Sequence, residues 1–125
     1  ENVTFTGYLG NEEYAGLLRS CSCVLVLTTL DFTMQRGGSE AITVGRPLIT
    51  SDFPLLREVF HKGALHVDNS PEGIREAVEK MRTDLAHYEE EVRALRAERD
   101  EEWRRTHAML EDMIAEAFAD GNGER

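Results

Sequence analysis

The sequence predicts an α/β fold: a parallel, doubly wound sheet of about four strands with flanking helices, followed by a long helical C-terminal segment. Three observations carry this. Short β-rich runs alternate with short helical patterns up to about residue 70, the order expected of strand–helix–strand units. "CVLVLTT" (Cys23–Thr29) is apolar and branched without polar alternation, as in a strand buried on both faces. Beyond residue 70, apolar residues recur at helical spacing as far as Phe118.

Each element has a local reason. Asn2–Thr6 alternates, is rich in β-formers and ends at Gly7, so it reads as a strand. Asn11 is placed to cap a short helix carrying Tyr14, Leu17 and Leu18. Cys23–Thr29 makes the buried strand, and a loop then runs from Leu30 to Gly38. A brief helix follows from Ser39 to Val44, closed by Gly45. Pro47–Thr50 reads as the next buried strand, with Ser51 or Asp52 capping a helical turn through Leu55, Leu56 and Val59. Ala64–Val67 is the fourth strand. Ser70-Pro71-Glu72 then supplies a helix N-cap, a proline at the first helical position and an acid in the first turn.

Ile74, Val78, Met81 and Leu85 form one stripe, which Tyr88, Val92 and Leu95 continue at near-heptad spacing. Arg99 and Glu102 interrupt it. Trp103, Leu110, Met113, Ile114 and Phe118 then take up a shifted apolar face. Two or three helices folded back on the sheet satisfy this pattern; a coiled-coil seam over Val78–Leu95, and with it a homodimer through 78–95, is the alternative. The polar residues 119–125 read as a disordered tail.

A chain of 125 residues suits one domain. Its net charge of −10 is uneven, −2 over residues 1–67 and −8 over residues 68–125. Such a balance repels phosphate backbones and anionic lipid, so nucleic acid and membrane surfaces are poor partners. The longest apolar run, Val24–Leu27, is far too short for a membrane span. Cys21 and Cys23 read either as a ligand or redox pair or as small hydrophobes beside a strand. No second Cys or His pair stands at zinc-finger spacing, no Asp-x-Asp occurs, and no metal site is expected. The lack of a disulfide framework fits a cytoplasmic location. The chain opens at Glu1 directly in a strand pattern, which suggests a piece of a longer protein.

The chemistry concentrates in "TMQRGGSEA" (Thr33–Ala41). In parallel sheets ligands sit at the carboxyl ends of the strands, where loops meet helix N-termini. Gly37 and Gly38 allow close backbone approach and positive φ. The helix after them aims free N–H groups and its positive dipole end at an anion, and Arg36 adds a forked cation suited to phosphate. Glu40 is placed to accept hydrogen bonds from two vicinal hydroxyls, as a ribose offers. The implied ligand is a nucleoside diphosphate. A plain Gly-Gly turn followed by a first-turn glutamate serving the dipole is the competing explanation. Neither a GxxxxGK[ST] loop, a GxGxxG fingerprint nor a Gly-x-Ser-x-Gly elbow is present. His61 and His66 read as surface or core residues, and Arg57-Glu58 as structural.

The ordered pieces F-x-G, a buried strand, "SEAITVGRPLITSD" and "LRE" between residues 2 and 82 resemble the second half of the nucleotide-sugar domain of family 4 glycosyltransferases of GT-B architecture. The resemblance implies a Rossmann-like donor domain and a metal-independent, retaining hexosyl transfer from a nucleotide-diphosphate sugar, with no cofactor. It places Glu40 on the ribose, as the second glutamate of a Glu-x7-Glu motif. At the first glutamate this chain has Phe32, with Asp31 beside it as the substitute. Thr33, Met34, Gln35 and Arg36 fall where the family presents backbone amides to the diphosphate and sugar, next to the Gly37 and Gly38 already marked as donor-binding. Gly7, Tyr8 and Leu9 fall where the family approaches the nucleotide base. The expected catalytic groups are thus Asp31 and Arg36. Residues 1–70 would be part of the donor domain, and residues 71–118 helices that pack on the sheet or on an upstream acceptor domain of the same polypeptide. The fragment alone would be inactive. The alternative is a non-catalytic α/β nucleotide-binding or interaction module that dimerises through its C-terminal helices.

Overall fold

The computed structural model describes residues 2–120. Its elements run α1 (Asn11–Ser20), β1 (Val24–Val26), α2 (Arg36–Thr43), β2 (Leu48–Ser51), α3 (Pro54–Val59), β3 (Ala64–Val67), α4 (Pro71–Thr83) and α5 (Leu85–Asp120). The fold is α/β, with the three strands forming one parallel sheet in the order β1-β2-β3. All four residues of the central strand are buried, which explains why it carries no polar alternation. Successive side chains of β2 enter opposite cores. Leu48 packs with Ala41, Ile42, Leu56, Phe60, Val92 and Leu95. Ile49 packs with Val67, Ala77, Met81 and Tyr88.

The expected strand at Asn2–Thr6 does not form. Val3 and Phe5 stand exposed, and β1 pairs only with β2. A β-prone stretch becomes a strand only where a neighbour takes its backbone hydrogen bonds and one face is buried; residues 2–6 have neither.

The helix expected from Ser39 begins three residues earlier, at Arg36, with Gln35 as N-cap. Gly37 and Gly38 therefore lie in its first turn rather than in a loop, and neither has positive φ. They allow close packing instead. A Cβ on Gly37 would lie 3.1 Å from Val26 Cγ2, and one on Gly38 2.8 Å from Phe60 Cζ. Gly45 closes α2 as expected, with φ +81°. The amides of Gly45 and Arg46 donate to Ile42 O and Ala41 O at 3.0 and 2.8 Å. Asn11 is the first residue of α1, not its cap; that place falls to Gly10. Neither Ser51 nor Asp52 caps α3, whose N-cap is Phe53. Ser70 caps α4, its Oγ accepting from the Gly73 amide at 2.9 Å.

The helical half forms two helices, of which α4 and the first part of α5 pack on the sheet. Met81, Tyr88, Val92 and Leu95 are buried in the chain's own two cores, while Val78 is exposed. The seam considered for a homodimer through 78–95 is thus largely taken up within the chain. α5 enters beneath the sheet, against the N-terminal ends of its strands. There the Gly63 amide donates to Glu91 Oε2 at 3.0 Å, and Arg46 meets Glu89 at 3.4 Å. Arg99 is the last residue anchored to the body, donating to Val59 O at 2.7 Å and lying 5.4 Å over the Phe60 ring. From 102 to 119 every residue is exposed, so this part of the segment does not fold back on the sheet. The apolar face from Trp103 to Phe118 meets no element of the body. Residues 119 and 120, expected to be disordered, lie in the last turn of α5; the rest of that tail lies outside the described residues.

Gly63 has φ +69°, and a Cβ there would meet Val92, lying 2.9 Å from its backbone nitrogen. Gly63→Ala is expected to destabilise the fold by about 3 kcal/mol, and Gly38→Ala by about 1–3 kcal/mol, through overpacking against neighbours with little room to shift. Urea denaturation measures both. A Gly63→Ala protein as stable as the parent would mean that α5 is not seated on the sheet in solution.

Candidate functional site

The carboxyl ends of the strands are tied together by one small polar network. Ser51, at the end of β2, accepts from the Thr28 amide at 2.8 Å through its Oγ. The same hydroxyl has Thr28 O at 2.9 Å and Asn69 Oδ1 at 2.7 Å as acceptors for its single proton. Asn69, after β3, has φ +68° and donates from Nδ2 to Thr28 O at 2.8 Å. Thr28 and Asn69, with Leu27, Thr29 and Leu30, border an open recess of about 460 Å³.

The connector from β1 to α2 leaves this edge. Asp31 caps its own loop, its Oδ1 accepting from the Phe32 amide at 2.7 Å. Phe32 has φ +57° and is 82% exposed. Thr33 and Met34 are exposed, and Gln35 is buried as the α2 N-cap. The first hydrogen bond of α2 runs from the Ser39 amide to Gln35 O at 3.1 Å. The amides of Arg36, Gly37 and Gly38 thus have no acceptor within the helix.

One turn into α2 stands a three-residue cluster. Arg36 Nε donates to Glu40 Oε1 at 2.7 Å, and the Tyr14 hydroxyl, from α1, donates to Glu40 Oε2 at 2.7 Å. Arg36 is 91% exposed, so its two Nη groups face solvent, whereas Glu40 is 28% exposed. The Tyr14 hydrogen bond, then that of Arg36, holds the Glu40 carboxyl below its ordinary range. The same contact pushes the Tyr14 phenol up. Beside the cluster lies a cleft of about 220 Å³ between α1 and α2, walled by Ala15, Leu18 and Val44 with Tyr14, Glu40 and Thr43 at its polar side.

Of the expected site residues, the structure brings Gln35, Arg36, Gly37, Gly38 and Glu40 together at the start of α2. It does not bring Gly7, Tyr8 and Leu9 to them by any hydrogen bond: Gly7 has φ +63°, and Tyr8 is fully solvated ahead of α1. Asp31 shares neither a hydrogen bond nor an ion pair with the Glu40 cluster. Tyr14 is the residue that the sequence did not mark. It reads there as one more apolar position beside Leu17 and Leu18, and the sole signal was a phenol on a helix needing a polar partner.

The remaining candidates are structural. Arg57 forms a two-point ion pair with Asp52, with Nη2 to Oδ2 at 2.6 Å. His66 Nε2 meets Leu56 O at 3.1 Å, and His61 bridges Glu58 O and Glu98. Cys21 and Cys23 are free and half-buried, and burial pushes the Cys23 thiol up. Among the described residues no group of three or more His, Cys, Asp or Glu side chains is placed to hold a metal, and no helix is long and apolar enough to cross a membrane. No protein-family model matches the chain, and neither the curated proteins nor the solved structures compared with it give a match.

The cluster sets a pH dependence. Because the folded-state value of Glu40 lies below its unfolded value, its contribution to stability is present above the usual glutamate value of about 4.3 and fades as the pH falls through the depressed one. Tyr14 is shifted the other way, so its share is present below about pH 10 and is lost as the pH rises through the raised value. The stability difference between the parent and Glu40→Gln is therefore expected at about pH 7 and should close in acid. Denaturant midpoints across pH check it; a gap of the same size in acid would show that it does not arise from the ionised Glu40 carboxylate, and no gap at about pH 7 would show that the cluster does not form.

Proposed function

We propose that this chain carries part of the donor-binding domain of a family 4-type glycosyltransferase, which transfers a hexosyl group with retention from a nucleotide-diphosphate sugar. The observation that carries this reading is the placing of Arg36 and Glu40 one helical turn apart on α2, at the carboxyl edge of a parallel sheet. The motif order of residues 2–82 supports it independently. In this reading the free amides at the start of α2 and the Nη groups of Arg36 take the diphosphate charge. Glu40, ionised at neutral pH, accepts the two ribose hydroxyls. Catalysis is then electrostatic, with fixed donors stabilising the leaving diphosphate as the glycosidic bond breaks. Thr33 and Met34 border the sugar, and Asp31 supplies the carboxylate where Phe32 replaces the family glutamate. An acceptor domain of the same polypeptide covers the exposed face of α5 around Trp103, Leu110 and Ile114. A cytoplasmic setting, where such donors are made, belongs to the same reading.

The second reading is a nucleotide-binding module without transfer activity. One observation favours it: the sugar-contacting position holds Phe32, a solvated aromatic at positive φ, and Asp31 is engaged with its own loop.

Calorimetric titration of the chain with UDP, GDP and ADP, and with the corresponding glucose conjugates, tests both. One base is expected to bind, and Glu40→Ala to weaken it by about 2–3 kcal/mol, the loss of hydrogen bonds to a charged group, or roughly thirty- to a hundred-and-fifty-fold. No binding of any nucleotide would overturn both readings. Undiminished binding by Glu40→Ala would remove the ribose role. Equal affinity for diphosphate and sugar conjugate favours the module.

A further inference from the structure

We infer that Tyr14 is the positioning residue for Glu40: from a separate helix, its hydroxyl fixes the carboxylate so that a vicinal diol meets it in one orientation. The inference rests on the reading of Glu40 as the ribose acceptor and adds a determinant of preference for ribonucleotides.

A glutamate at the surface of a helix samples several rotamers. Glu40 is instead held on both oxygens, Oε1 by Arg36 and Oε2 by Tyr14, each at 2.7 Å. The two holders are not equivalent. Arg36 lies on the same helix, four residues before Glu40, and is almost fully exposed. It is also the first residue of α2, beside the open amides, so an arriving diphosphate competes with Glu40 for its guanidinium. Tyr14 belongs to α1, and its ring has only two rotatable bonds between backbone and hydroxyl. When Arg36 turns to the anion, the Tyr14 contact remains. A carboxylate oxygen accepts up to two hydrogen bonds. With Tyr14 on one site of Oε2, the second site there and the whole of Oε1 are open, which is one acceptor for each hydroxyl of a cis diol. Tyr14 thus does not need to touch the ligand to decide how it is read.

The test compares the full chain with Tyr14→Phe and Glu40→Gln, using carboxylate NMR titration and the affinities of UDP, GDP and ADP beside their 2′,3′-dideoxy forms. Tyr14→Phe removes one oxygen from a solvent-facing ring, and far-UV circular dichroism checks that the helices are intact. Glu40 is expected to titrate at higher pH in Tyr14→Phe than in the parent. The preference for the ribo over the dideoxy nucleotide, read as the ratio of the two affinities within each protein, should fall about tenfold in Tyr14→Phe and vanish in Glu40→Gln, where release of Arg36 changes the affinity for both forms alike. An unmoved Glu40 titration overturns the inference whatever the nucleotides do. Loss of the preference in Glu40→Gln but not in Tyr14→Phe overturns the role of Tyr14 and leaves the ribose reading standing. A parent with no ribo preference overturns the ribose reading, and the positioning role with it. On the unaltered chain, the Tyr14 phenol should ionise above its ordinary range and return to it in Glu40→Gln; an ordinary value in the parent would also defeat the inference.

Discussion

Gly63 opens β3 with φ +69°, and Val92 of α5 lies so close above it that there is no room for a side chain. That contact lets a helix pass directly under the sheet. Its consequences spread to both cores, because the turn of α5 carrying Tyr88 belongs to one and the turn carrying Val92 and Leu95 to the other. A bulkier residue at 63 would lift α5 and loosen both cores together. The three strands are too few to enclose a core between sheet and crossover helices alone. The α5 underside supplies the missing wall, and Glu91 and Glu89 secure it through the Gly63 amide and Arg46.

Closing one end of the sheet leaves the other end to carry chemistry. At the carboxyl edge the groups that would otherwise be filled by packing are polar and small: Thr28, Ser51 and Asn69 join the three strand ends through a single shared hydroxyl. The neighbouring start of α2 combines unpaired amides with a solvated arginine and an ionised glutamate. The two glycines of that turn bring it down onto Val26 and Phe60, so the amides and the charged pair are held on a helix packed tightly against the sheet. Tight packing, the open amides and the charged pair therefore share one stretch of seven residues, 35 to 41.

Much of this was legible in the sequence, and the exceptions share a cause. β2, β3, the Ser70 cap of α4 and the glycine that closes α2 are set by local pattern, and each is found within a residue of its expected place. Local pattern misled where the deciding partner was distant. Asn2–Thr6 has a strand's composition but no neighbour to pair with. Gly37 and Gly38 look like loop residues until Val26 and Phe60, both distant in sequence, are seen to need the space. The near-heptad spacing of Val78 to Leu95 allowed either helices folded on the sheet or a seam to a second chain, because a stripe filled by the chain's own cores has the same spacing. In the site, Arg36 and Glu40 were legible as a cation and a carboxylate on either side of Gly-Gly, but not as partners on one helical turn, because the helix was expected to begin only at Ser39. Tyr14 was not legible, since it reaches Glu40 across 26 positions and its periodicity alone marks it as an apolar helix residue.

The free part of α5 is continuous with the part that lies under the sheet. Residues 102–119 extend the helix by about 27 Å at 1.5 Å per residue, with no break between them and Val92. Such a rod acts as a lever whose fulcrum is the Arg99 contact with Phe60 and Val59. A load on Trp103 or Ile114 is delivered, with the advantage of the longer arm, to the Gly63 seam and to the Phe60 ring on which Gly38 rests. The start of α2 and the far tip of the helix are thereby two ends of one mechanical linkage.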